Sequence, residues 1–185
     1  MSTNEAAKSD EPETPPETPE EKPALKPVTE ATDHPDVPVI PPIMFLLMVM
    51  AGITLDWLVP FNLGHGWGGF GLFLLLGGLG GVFWCKKLFD EAETNISPDQ
   101  PTLTIITKGP YQYSRNPVYV CFLIAYLGLA ALADAPVMVL LTGGLYYLLD
   151  HYVIEREEAY LEEKFGDQYL EYKKTAPRWL GAKPS

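Results

Sequence analysis

The chain has 185 residues, one domain's worth, with a mean hydropathy of +0.02 and a formal net charge of −11. That acidity argues against a nucleic-acid-binding surface. Three scattered histidines and two cysteines without a C-x-x-C pattern give neither a metal site nor a disulfide framework.

The averages conceal two unlike parts. The first 42 residues hold ten of the eighteen prolines and ten acidic residues against three lysines, so most of the net charge sits there. So little apolar surface cannot offset the entropy of ordering the chain, and residues 1–40 are expected to be a disordered, acidic, proline-rich tail. The opening residues lack the basic-then-apolar pattern of a targeting signal.

From residue 41 the composition reverses. Segment 43–61 is apolar apart from Thr54 and Asp56, and 70–85, 117–133 and 135–149 carry no charge. Runs of this length approach the ~20 residues that a helix needs to cross ~30 Å of hydrocarbon. The expected fold is therefore an all-α integral membrane domain over 41–180, with four transmembrane helices near 43–61, 68–87, 117–134 and 136–164, and a short C-terminal tail at 181–185. Asp56, beside Trp57 and Pro60, suits an interfacial position.

The basic residues orient the helices. Loops 62–69 and 133–135 have no Lys or Arg, whereas Lys86, Lys87, Lys108 and Arg115 lie between the second and third helices. Arg156, Lys164, Lys173, Lys174 and Arg178 follow the fourth. The positive-inside rule then places both termini and the central loop in the cytoplasm. Cys85 and Cys121 fall near that face and read as small apolar fillers, since no group is placed to activate them.

Two polar constellations lie on the same side. KGPYQYSRNPVY, residues 108–119, brings Arg115 to a helix start, where Pro117 occupies a first-turn position. The free amides there suit an anionic ligand group. The alternative is that Arg115 snorkels to headgroups, with Tyr111, Tyr113 and Tyr119 as an aromatic belt. The second constellation is EREEAYLEEKFGDQYLEYKK, read as the fourth helix continuing into the cytoplasm. At 100° per residue Glu157 falls within an apolar stripe beside Val153, Tyr160 and Leu161, and Glu158 lies at its edge, while Glu155, Glu162 and Glu163 point away. A carboxylate so placed needs a cation from another element or from a ligand. Together these groups suit a zwitterionic cofactor that carries a cation and an aromatic base, such as S-adenosylmethionine.

Gly109-Pro110-Tyr111, Arg115-Asn116-Pro117-Val118-Tyr119, Glu157-Glu158-Ala159-Tyr160-Leu161, the run 165–172 and Arg178-Trp179 resemble the isoprenylcysteine carboxyl methyltransferase family and its bacterial relatives, which share features with phospholipid methyltransferases. The likeness spans about 41–180. It implies a multi-pass membrane enzyme that binds S-adenosylmethionine in a cytoplasm-facing pocket and methylates a lipophilic acceptor. By position it implies that Leu103, Thr104, Ile105, Ile106, Tyr111, Asn116, Pro117, Val118 and Tyr119 wall the cofactor and that Glu157 is its acidic ligand. Arg115 matches the arginine at the reacting end, and Glu158 is a candidate to assist an acceptor that must lose a proton. Asn116 stands where the eukaryotic enzymes usually have histidine, and an amide can neither carry charge nor act as a base. Two other readings are an NADPH-dependent membrane reductase of related architecture and a non-catalytic interaction protein. Oligomeric state is open.

Overall fold

The computed structural model describes residues 34–58, 63–64, 66–98 and 100–181. The expected tail up to residue 33, part of the end expected for the first helix and residues 182–185 lie outside the described residues. Those described are helical, with no strand among them. In order they are α1 (Pro41–Trp57), α2 (Gly68–Glu91), a 3₁₀ turn (Gly109–Gln112), α3 (Pro117–Leu132), α4 (Pro136–Leu148), a π-helical stretch (Leu149–Ile154), α5 (Glu155–Phe165) and α6 (Asp167–Thr175).

Proline sets three of these starts. Each of α1, α3 and α4 has Pro in its first turn, where the missing N–H breaks no helical bond. The α4 start is also tied by Asp56, whose carboxylate accepts the Val137 N–H at 3.2 Å. The one charge in α1 thus serves as a contact to a helix N-terminus.

Two helices are long and apolar enough to cross a membrane: α2, and the continuous 30-residue helix Pro136–Phe165 that contains α4, the π stretch and α5. Four were expected. The other two apolar helices have 17 and 16 residues, so each extends about 25 Å at 1.5 Å per residue. The outer faces of α1 and α2 are apolar. Leu46, Leu47 and Met50 of α1 and Phe73, Leu76 and Phe83 of α2 are each more than half exposed, a patterning that water does not favour.

α2 and α3 are antiparallel and in near-backbone contact. A Cβ at Gly78 would stand 2.7 Å from the Ala125 nitrogen and the Cys121 oxygen, and one at Gly71 would stand 2.7 Å from the Leu132 nitrogen. Small residues permit this approach, as between helices in lipid. α1 covers α4 and α3 through Phe45, Met44 and Met48, and the Tyr126 hydroxyl donates to the Met48 carbonyl at 3.0 Å.

The fourth helix ends at Phe165, within a residue of the expected 164, and the run to Lys174 is not one helix, because Gly166 adopts φ 52°, ψ −127° and divides it. That conformation is open to glycine and costly for other residues, and it turns α6 back toward the start of α3. The described end of the expected tail, residues 34–40, touches the helices. Val37 and Val39 pack against the core of α1, α3 and α4, and the Asp36 carbonyl accepts from Arg156 at 2.7 Å.

The close approach of α2 to α3 predicts opposite effects from two alanines. Gly78→Ala forces backbones apart and should destabilise by about 1–3 kcal/mol. Gly80→Ala meets nothing within 4 Å and should be neutral or stabilising by up to about 1 kcal/mol. Thermal unfolding in detergent measures both, and equal midpoints would undo the packing account.

Candidate functional site

The site forms where the C-terminal segment returns to the loop before α3. The Arg115 N–H donates to the Pro177 carbonyl at 2.8 Å. Ser114 Oγ and Asn116 Nδ2 both donate to the Arg178 carbonyl at 3.1 Å, while the Tyr172 hydroxyl donates to the Tyr111 carbonyl at 2.7 Å. The loop after α2 folds in from the other side. There the Thr94 hydroxyl accepts the Leu103 N–H at 2.8 Å, and the Tyr160 hydroxyl accepts that of Thr102 at 3.2 Å.

Glu158 is the electrostatic centre of this junction. Its carboxylate is nearly enclosed and each oxygen receives one arginine. Arg115 donates to Oε1 from Nη2 at 2.7 Å and Nε at 3.0 Å, and Arg178 donates to Oε2 from Nη2 at 2.9 Å and Nε at 3.2 Å. Arg115 Nη1 also caps the Ala176 carbonyl at 2.7 Å. The Arg115 side chain is 9% exposed, which does not suit the snorkelling alternative. Arg178 reaches on to Asp150 at 3.4 Å, and the Trp179 indole donates to the same carboxylate at 2.7 Å.

The carboxylate with cationic partners is Glu158, at the edge of the stripe, because the returning C-terminal segment covers that side of α5. Glu157 has a neutral partner: the Tyr119 hydroxyl donates to its Oε1 at 2.6 Å.

Glu157 faces a cleft with an inner volume of about 110 Å³ that opens to solvent at its mouth. Of the residues named from sequence, Thr104, Ile105, Ile106, Tyr111, Arg115, Asn116, Val118, Tyr119 and Glu157 line it. Leu103 is exposed away from it, Pro117 is buried in the first turn of α3, and Glu158 lies behind its wall. Sequence reasoning did not name Phe89, Tyr169 and Tyr172, which also line it. The last two are in the quoted run 165–172, but only the turn at Gly166 aims them inward.

Two polar groups in the cleft are poised toward a ligand. Asn116 is fixed through its Nδ2, while its Oδ1 has no described protein partner and is not sealed from the cleft. It can accept a hydrogen bond. Glu157 lies on polar α5, beyond the apolar part of its helix. Protein surrounds it, although it keeps contact with solvent through the cleft. Burial pushes its carboxyl up to about 7, opposed by the Tyr119 bond, which favours the ionised form. Because this folded-state value lies above the ordinary 4.5, the folded protein holds a proton that the unfolded chain has lost between those pH values. Stability from this group therefore falls as pH rises through that window. Burial likewise raises the Tyr111, Tyr169 and Tyr172 hydroxyls, which stay neutral.

Among the described residues, Asp150, His151 and Glu155 bring potential metal-ligating atoms within 4.8 Å of one another. Arg178 and Trp179 already occupy the Asp150 carboxylate.

These features define a helical protein with long apolar helices and an open cleft, lined by a carboxylate and several aromatic rings, at their charged end. The phospholipid methyltransferase family profile matches residues 68–168, more than half of the chain, and the chain belongs to that family. It is 30% identical over 115 residues to the cobalt-zinc-cadmium resistance protein CzcN of Cupriavidus metallidurans, covering 59% of this chain and 49% of that one. It is 40% identical over 73 residues to the protein-S-isoprenylcysteine O-methyltransferase of Schizosaccharomyces pombe, covering 40% of this chain and 31% of that one. An uncharacterized protein of Haemophilus influenzae is 52% identical over 33 residues, 18% of this chain and 52% of that one. The chain thus spans about half, or less, of the curated relatives it matches. No solved structure matches it. The resemblance drawn from the sequence motifs holds at family level.

Removing one member of the buried cluster should cost far more than removing a surface partner. Glu158→Ala leaves two arginines without their carboxylate and should destabilise by about 3–5 kcal/mol. Glu171→Ala breaks a pair with Lys174 whose side chains are about 70% exposed and should cost about 0–1 kcal/mol. Denaturant unfolding in detergent measures both, and equal losses would contradict the central role of Glu158.

Proposed function

We propose that this chain is a membrane-embedded methyltransferase that uses S-adenosylmethionine and acts on a lipophilic acceptor, either an isoprenylcysteine-like carboxylate or a lipid or other small apolar molecule. The observation that carries this reading is the cleft itself: a carboxylate, an unsatisfied amide oxygen and several aromatic faces around one space, in a chain of the phospholipid methyltransferase family. In the proposed topology α1, α2, α3 and the α4 helix all cross the bilayer, the two short ones with local thinning. The cleft and both termini face the cytoplasm, on the side of the Lys and Arg residues. Residues 41–180 form the catalytic unit, joined by the packed segment 34–40.

The residues present fit the cofactor. Glu157 matches its cationic part, Asn116 Oδ1 a donor group, and Tyr111, Tyr119 and Tyr169 offer faces for a sulfonium or a flat ring. When bound, S-adenosylmethionine supplies an electrophilic methyl group on positively charged sulfur. The chain's own contribution is alignment and exclusion of water. Tyr119 holds the Glu157 carboxylate in the cleft, the loop 102–106 closes one wall, and the Arg115–Glu158–Arg178 cluster fixes the other. Arg115 stands at the proposed reacting end with its guanidinium oriented by Glu158 and Ala176, a geometry that lysine cannot reproduce.

Isothermal titration of the purified chain with S-adenosylmethionine and, separately, NADPH tests this reading. Binding of the first is expected, and binding of NADPH alone would overturn it. Glu157→Gln should weaken the complex by about 1.5–3 kcal/mol, with Glu171→Gln unchanged.

The pH profile gives an independent check. Ionised Glu157 is the form that attracts a cation, so wild-type affinity should rise from pH 6 to pH 8 relative to Glu157→Gln. Parallel profiles for the two proteins would remove Glu157 from the cofactor contact.

A further inference from the structure

The chain has two cysteines, and neither lines the cleft. Cys85 on α2 is 1% exposed and Cys121 on α3 is partly buried. The glycine-mediated contact of these helices brings them together. Gly78 faces the Cys121 carbonyl, and a side chain at Gly81 would collide with the Cys121 sulfur. Helical side chains tilt toward the N-terminus of their own helix. In this antiparallel pair the Cys121 sulfur therefore leans along α2 from Gly81 toward Cys85, one turn further on the same face. The two thiols are therefore neighbours across the α2–α3 contact, and Cys85 shares a buried cluster with Tyr111.

We infer that Cys85 and Cys121 form a two-coordinate binding site for a soft divalent cation such as mercury(II), directly behind the cleft wall. Ligand number selects the ion. Among the described residues the group of three or more His, Cys, Asp or Glu that could share an ion is Asp150, His151 and Glu155, which includes neither cysteine. Zinc-like ions would lack half of a tetrahedral shell, whereas a thiophilic ion that accepts two sulfurs in line would be complete. Charge selects it further. Two thiolates neutralise a divalent ion, and a neutral complex suits a site packed among Leu88, Phe89 and Val118. On binding, each S–H bond breaks, its proton passes to solvent, and each sulfur forms one bond to the ion as that ion sheds its two chloride or water ligands. The inference does not depend on the proposed methyltransferase activity.

The test uses the full chain in detergent, loaded with mercury(II) chloride and dialysed against glutathione. Wild type should retain one ion per chain. Cys85→Ser and Cys121→Ser should each retain about tenfold less or lower still, because the second sulfur acts as an intramolecular ligand of high effective concentration. X-ray absorption of the wild-type complex, which needs no variant, should show two sulfur neighbours and no lighter atom bound. Two ions per chain, equal retention by the single variants, or a single sulfur neighbour would overturn the inference.

Discussion

A carboxylate removed from water between two arginines is the constraint on which the site depends. Glu158 cannot remain ionised and buried alone, and one arginine would leave an oxygen without a strong donor. Arg115 comes from the start of α3 and Arg178 from the C-terminal segment, so pairing both with Glu158 joins three distant parts of the chain. The backbone follows the charges: Pro177 and Arg178 offer carbonyls to the Arg115 N–H, Ser114 and Asn116. α6 is then held where Tyr169 and Tyr172 complete the cleft. The two neighbouring glutamates thereby divide the work, one binding the fold together and the other facing the ligand space.

The helices set the platform for that junction. α2 and α3 approach closely because glycine leaves room, and this fixes the end of α2 beside Tyr111. Asp56 and Asp134 act at the opposite end, accepting the backbone N–H groups of Val137 and Leu63. Charges within the apolar half of the chain thus satisfy backbone groups at the ends of its helices.

Much of the fold was legible because its signals are local. Pro117 marks a helix start by its covalent geometry, and uncharged runs mark the helix bodies. The helical face of Glu157 was legible too, since 100° per residue holds within α5. What escaped the sequence depends on contacts across distance. Glu158 looked peripheral because its two cations lie 43 and 20 residues away. Gly166 was read through as helix, although its positive φ redirects α6 and brings Tyr169 and Tyr172 inward. Pro35 and Val37 share the composition of the tail, yet one lines the cleft and the other packs on the core.

The central claim is that the loop before α3, α5 and the returning C-terminal segment form one ligand site. Hydrogen–deuterium exchange of the detergent-solubilised chain, with and without S-adenosylmethionine, tests it most directly. The account predicts that the cofactor slows exchange in 102–119 and 157–178 together and leaves α1 unchanged. Unchanged exchange at saturating cofactor, or protection confined to other segments, would contradict it.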